Sequence, residues 1–467
     1  MVKTKRNLVE GPIFYKIFLF AIPLMLTGIL QVFYSMADNI VVGRFSGDPT
    51  ALASVGCTSS LSTMIVNIVL GVSAGAGVVV AQGYGAGRDR EVSRTVHTAI
   101  TFAVVVGIAV GALSLVFSRQ MLELMGTKEE LIGNAVLYFR IICIGIPATC
   151  VYNFGASIIR SIGDSKTPLY ILTSSGLINV ILNLFFVIVC HMSVAGVAIA
   201  TIVSQYLSAG AAISVLVAHR KECYGLSISK YCFDRRLLLR MLRLGVPAGI
   251  QSSFFGITNV MITGAVNTLP TEVISAKAIA GNIDGITYTS MSCFHHAALT
   301  FSGQNYGAKK YKRLTKVLFY TVFQVAAVGF IVSRLELFFA VPLANLFIGV
   351  DDANRAAVVA STVEIMKAVL SFYFLCGVQE VLTGVIRGMG YSLSPMIACL
   401  VGICTFRIFW ISVIFPMEQF NSATGVYLSY PISWILTIVM LSVMLVIAWR
   451  KLRKDSCKEA ENGEKSE

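Results

Sequence analysis

Charge is what this sequence has least of. Only 13% of its 467 residues are Asp, Glu, Lys or Arg, while 56% are hydrophobic, too little polar surface to cover a soluble protein of this size. The mean hydropathy of +0.77 says the same. Period-2 alternation is missing from the apolar stretches, which argues for helices and against a membrane barrel. No short apolar core with a cleavage site follows Lys3, Lys5 and Arg6, so the first apolar stretch reads as a span and not a signal peptide. No Cys-x-x-Cys occurs among the eleven cysteines; most sit within apolar stretches as small hydrophobes, and no disulfide framework is expected. His-Glu-x-x-His is absent too, which argues against a membrane enzyme of that metal-dependent type. His295-His296 is the one tempting metal pair, but adjacent helical residues point about 100° apart.

What is present is a series of about twelve apolar stretches, most of them longer than the roughly 20 residues that cross a bilayer as a helix. They lie near residues 13–42, 51–82, 95–118, 132–158, 168–190, 194–218, 238–265, 273–303, 315–340, 357–386, 394–415 and 424–448. The fold class is therefore all-α integral membrane. Alternate loops hold nearly all the basic residues, among them Arg88, Arg90, Arg94, Arg220, Lys221, Lys309, Lys310, Lys312 and Arg313. The positive-inside rule then places both termini in the cytoplasm, for a multi-pass protein of the cytoplasmic membrane. Topology accounts for the net charge of +13, and no nucleic-acid partner is expected.

The stretches repeat. Gln82-Gly83-Tyr84-Gly85-Ala86 returns as Gln304-Asn305-Tyr306-Gly307-Ala308, and Arg160-Ser161-Ile162-Gly163 as Arg387-Gly388-Met389-Gly390. Leu19–Pro23 returns as Arg243–Pro247, about 225 residues on, a spacing typical of duplicated transporters. Six spans per half is an even number, so the two six-helix bundles share one orientation about a pseudo-two-fold along the membrane normal. The N-terminal lobe is read as 1–218, the cytoplasmic linker as 219–236, the C-terminal lobe as 237–450 and a charged, disordered cytoplasmic tail as 451–467. Pro23, Pro147 and Pro247 fall inside spans and are candidate hinges.

A charge within a span costs roughly 2.5–3.5 kcal/mol unless it is paired, hydrated or neutralised, so functional chemistry is sought there. Asp38 lies fifteen residues beyond Pro23 in the first span. It reads either as a cap at the membrane surface or as a buried carboxylate that takes up a proton or ligates a small cation such as Na⁺. Asn179 and Asn183 share a helix face in the fifth span, and Thr201 lies in the sixth; their oxygens suit a hard cation, a protonated Asp38, or plain helix–helix hydrogen bonding. The second half carries Asp284, Glu380 and Arg407 within spans, with Gln251, Asn259 and Tyr288 as further polar and aromatic candidates for contact with substrate. Arg407 is expected to pair with Glu380 or Asp284.

The six-plus-six layout, the prolines opening each half and the two doubled motifs resemble the multidrug and toxic compound extrusion (MATE) family over about residues 10–450. That resemblance implies a secondary transporter with no cofactor. Organic, often cationic and amphipathic, compounds would be exported by antiport with H⁺ or Na⁺ as two lobes rock. It also implies that Asp38, Asn179, Asn183 and Thr201 form the coupling-cation site of the N-terminal lobe. One branch of the family carries a Glu in the seventh span where this chain has Phe255, so the chain is more similar to the DinF-like branch than to the NorM-like one. The partners implied are small drug-like molecules and the bilayer, with one chain sufficient for function. The alternative is a flippase for lipid-linked saccharides or lipids from the same superfamily, which usually has about fourteen spans and an Arg-rich cleft.

Overall fold

A computed structural model describes residues 8–45, 51–227, 229, 231–348 and 354–464. Helices account for all regular structure among them, with no strand. The first half comprises α1 (Ile13–Phe45), α2 (Ala51–Gly85), α3 (Asp89–Val116), a short α4 (Ser118–Leu124), α5 (Glu129–Ser161), α6 (Lys166–Leu184) and α7 (Ser193–Ala218). The second comprises α8 (Arg235–Val266), α9 (Thr271–Gly307), α10 (Tyr311–Phe338), a short α11 (Ala340–Asn345), α12 (Arg355–Leu370), α13 (Tyr373–Gly388), α14 (Leu393–Cys399), α15 (Phe406–Phe409), α16 (Ala423–Tyr427) and α17 (Ser429–Glu464). Where the sequence suggests a disordered tail, α17 runs on to Glu464.

Nine of these helical stretches are long and apolar enough to span a bilayer, and the pair α12–α13, bent by 41°, makes a tenth. The remaining two, α8 and α9, have 32 and 37 residues, ample length for a span. They fall short on composition because Gln251, Ser252, Ser253 and Asn259 interrupt the apolar run of α8, and Lys277, Asn282, Asp284, His295 and His296 that of α9. Together these give the twelve spans expected. The α12–α13 break is not foreshadowed, since Ser371-Phe372 contains neither Pro nor Gly. There the Ser371 carbonyl, released from the helical ladder, accepts from Arg334 Nη2 at 3.4 Å.

The doubled motifs turn out to be helix ends. Gly163 and Gly390 take positive φ of 105° and 97°, and their N–H groups donate to Arg160 O at 2.9 Å and Arg387 O at 2.8 Å. A glycine in the left-handed region closes a helix at no steric cost. At the end of α2 the same role falls to Gly87, φ 76°; at the end of α9 the corresponding residue is Lys309, φ 55°.

By contact density the chain forms two compact units. The first holds Met1–Ser253 with Thr300–Val317, and the second Phe254–Leu299 with Leu318–Glu467. Within the first, α5 is central and packs on α2, α3 and α7, while α1 lies on α6. Small residues make the close approaches: a Cβ on Gly107 would lie 2.7 Å from Pro147 Cα, and one on Gly176 would collide with the Tyr34 ring. The 219–234 segment is tied to α3, where His97 Nδ1 donates to Ser93 O (2.7 Å) and its Nε2 accepts from Ser227 N (3.1 Å). In the second unit α13 packs on α17.

Candidate functional site

α1 and α6 bring the first-half candidates together. Asn183 Nδ2 donates to Asp38 Oδ1 and also to Asn179 Oδ1, the latter at 3.2 Å. The bonds chain an acid to two amides along one face of α6, as the four-residue spacing dictates. Asn183 is wholly buried and Asn179 nearly so. The Asn183 side-chain oxygen, Oδ1, is buried without a hydrogen-bond partner, so an acceptor remains beside the carboxylate. Immediately after Asn183, Phe185–Val189 winds as a π-helix, a widening that recurs at functional sites.

Thr201 does not join this chain of hydrogen bonds. Its hydroxyl donates to Val197 O at 2.8 Å within α7. It lines instead a cavity of about 160 Å³, with Ser62, Tyr138, Thr149 and Gln205 as polar neighbours among apolar walls. Ser62 Oγ and Gln205 Oε1 are buried there without a partner. Tyr138, on α5, lines this cavity and packs against the apolar cluster that holds Val41 and Val42 of α1; nothing in the sequence around it marks that place.

The second-half candidates are divided differently from the expectation. Glu380 on α13 pairs with His295 on α9, Nδ1 to Oε2 at 3.1 Å, and the same nitrogen lies 2.9 Å from Glu380 O. Arg407 on α15 is buried; its Nε donates to Ser433 Oγ at 3.0 Å, and its guanidinium lies 3.8 Å from the Tyr430 ring centroid and 5.8 Å from that of Trp434. Among the described residues Arg407 has no carboxylate within ion-pair distance, so the predicted Arg407–Glu380 or Arg407–Asp284 bridge does not form. The reason is local: His295 reaches Glu380 first, and two ring faces plus a hydroxyl already surround the guanidinium. Two π-helical segments, Leu400–Thr405 and Trp410–Ile414, flank α15. Tyr288 is half-exposed on α9. Asn259 is exposed on α8, whereas Gln251 is buried and belongs to the first unit.

Comparison with known proteins bears on what such a chain is for. The family model described as MatE matches residues 23–185 and again 247–411, once in each half. The chain belongs to the MatE family. The probable multidrug resistance protein YoeA of Bacillus subtilis (strain 168) is 24% identical over 444 residues, covering 93% of each chain. The multidrug export protein MepA of Staphylococcus saprophyticus is 21% identical over 432 residues, covering 92% of each. A MATE crystallised in complex with MaL6 superposes with a TM-score of 0.90 at 19% identity, over 97% of this chain and all of that one. An outward-facing multidrug resistance MATE transporter of the MOP superfamily gives 0.88 at 20%, with the same coverage. This MatE-family chain is thus a membrane transporter and not an enzyme, with twelve membrane spans in two bundles.

Proposed function

We propose that the protein is a secondary multidrug exporter in which Asp38, held by Asn183 and Asn179, binds the coupling cation, H⁺ or Na⁺. The observation that carries this is the Asp38–Asn183–Asn179 chain of hydrogen bonds. Only amides approach the acid in that chain, which leaves the negative charge for an incoming cation to neutralise. An ionised carboxylate within the bilayer costs roughly 2.5–3.5 kcal/mol or more, and neutralising it lowers the barrier to closing the protein around it. A membrane potential of 100 mV contributes about 2.3 kcal/mol for each inward positive charge, enough for roughly fiftyfold accumulation of an electroneutrally exported substrate. The names of the relatives, a probable multidrug resistance protein and a multidrug export protein, support organic compounds as cargo. The alternating distribution of basic loops supports cytoplasmic termini and a plasma-membrane location.

The test is proteoliposome export of a cationic dye driven by an imposed pH or Na⁺ gradient. Asp38→Asn keeps the shape and one hydrogen-bond acceptor of the side chain but not its charge. It should fold, insert and lose gradient-driven export. Export by this variant at the wild-type rate would sink the assignment.

A further inference from the structure

The second unit holds a buried cation that no acid offsets. Arg407, within α15, is 6% exposed, and among the described residues no carboxylate lies within ion-pair distance of it. Its surroundings instead fix which way the guanidinium faces. α17 presents Tyr430, Ser433, Trp434 and Thr437 on one side, as spacings of three and four residues dictate. Gly402 lets the backbone before Arg407 approach that side, since a Cβ there would lie 2.3 Å from Thr437 Oγ1. Ser433 Oγ donates its proton to Tyr430 O at 2.7 Å, so it meets Arg407 Nε, 3.0 Å away, only as an acceptor. Arg407 Cζ sits over the Tyr430 ring, 3.8 Å from its centroid. Trp434 stands edge-on to Tyr430 and to Tyr373, with centroids 5.8 and 5.3 Å away. That leaves Nη1 and Nη2, neither of which donates a hydrogen bond among the described residues or is fully enclosed. Tyr430 itself is only partly buried. Two π-helical turns, Leu400–Thr405 and Trp410–Ile414, widen the backbone on either side of α15, a departure that recurs at functional sites.

We propose that Arg407, Ser433, Tyr430 and Trp434 form an anion site that takes the carboxylate of a flat aromatic compound. A cation within a span needs a counter-charge, water or both. The Tyr430 ring and one hydroxyl relieve the guanidinium on a face and at Nε. The Nη1–Nη2 edge keeps the fork that fits the two oxygens of a carboxylate. One guanidinium balances the single charge of a carboxylate, whereas a phosphate monoester brings nearly two. The rings beside the fork give the body of such a ligand an aromatic wall. The internal repeat sets this site apart from that of Asp38. With Pro168 aligned to Pro395, Arg407 falls on Val180 and Trp410 on Asn183. Where the first half lays amides beside an acid, the second lays aromatic rings beside a base. The proposal deepens the export reading by adding aromatic organic anions to its cargo, and it rests on that reading only for what becomes of the bound molecule.

Isothermal titration of purified full-length protein in detergent with naphthoate, against naphthamide as a neutral probe of the same shape, tests the proposal. Wild type should bind naphthoate about tenfold or more tightly than naphthamide. Arg407→Gln should lose that preference while binding naphthamide as wild type does. Arg407→Lys keeps the charge but not the fork, and should retain only part of the preference. Ser433→Ala, which frees Nε to turn, should reduce it as well while eluting as monodisperse protein. A wild type with no preference for naphthoate, or an Arg407→Gln that keeps the wild-type preference, overturns the proposal. Should Arg407→Gln fail to fold, an undiminished preference in both Arg407→Lys and Ser433→Ala overturns it instead. Because the readout is equilibrium binding of an anion, failure here leaves dye export through Asp38 untouched, and failure of that export leaves this site standing.

Discussion

At the scale of single residues, sequence reading located charges but not their partners. Hydropathy shows that Asp38, Glu380 and Arg407 lie within spans, because a charge interrupts an apolar run. It does not show which way each side chain points. Asn179 and Asn183 were legible because four-residue spacing fixes a common face, and the structure carries that face to Asp38. The partner of Glu380 was not, since His295 sits on a different span and an adjacent histidine, His296, drew attention to a metal pair instead. Tyr138 carried no signal at all, being one tyrosine in an apolar helix. The pairing is testable by double-mutant cycles on thermal stability. His295→Ala leaves the buried Glu380 without its partner and should be strongly destabilising, and adding Glu380→Ala should recover part of the loss. A coupling of about 1 kcal/mol or more is expected for His295 with Glu380, and close to none for Arg407 with Glu380. The reverse order would restore the arginine pairing expected from sequence.

At the scale of elements, the spans were readable because length and hydropathy are properties of contiguous sequence. The 41° bend between α12 and α13 was not, because it arises where tertiary packing, not Pro or Gly, releases a carbonyl. The π-helical turns after Asn183 and around Arg407 likewise contain no Pro to announce them. The ends of α2 and α9 allow a direct experiment. Both adopt the left-handed cap, but only the first has glycine there, while Lys309 bears a φ of 55°. A side chain in that region costs about 1–2 kcal/mol relative to glycine. Lys309→Gly should therefore stabilise the protein by roughly 0.5–1 kcal/mol after the loss of the lysine's own contacts. Gly87→Lys should destabilise it by a similar amount. Melting curves in detergent measure both, and a lower melting temperature for Lys309→Gly would show that those contacts outweigh the backbone term.

At the scale of the whole molecule, duplication was the most legible feature, yet the use made of it was not. Read from sequence, the Gln-x-Tyr-Gly-Ala motifs show only that they recur. In the structure Gln82 and Gln304 are buried within α2 and α9, and inside the first unit the two motifs meet. A Cβ on Gly85 would collide with the Gln304 carbonyl, and one on Gly307 with the Gln82 carbonyl. Gln304 Nε2 also donates to Ser161 O at 2.7 Å, which joins the second-half motif to the end of α5. Arg240 adds an ion pair to Glu91 at 2.8 Å and a hydrogen bond to Gln82 at 2.7 Å, with Arg240 38% and Glu91 20% exposed. Magnitudes separate the two devices. A half-exposed ion pair contributes about 0.2–1 kcal/mol, whereas a methyl group driven against a backbone carbonyl costs roughly 1–3 kcal/mol or more. Gly85→Ala and Gly307→Ala should thus lower the melting temperature more than Arg240→Gln does, and by similar amounts, because each glycine faces the other repeat's carbonyl in the same way. If Arg240→Gln were the most damaging of the three, the ion pair and not the paired glycines would hold the basic-loop ends of the repeats together.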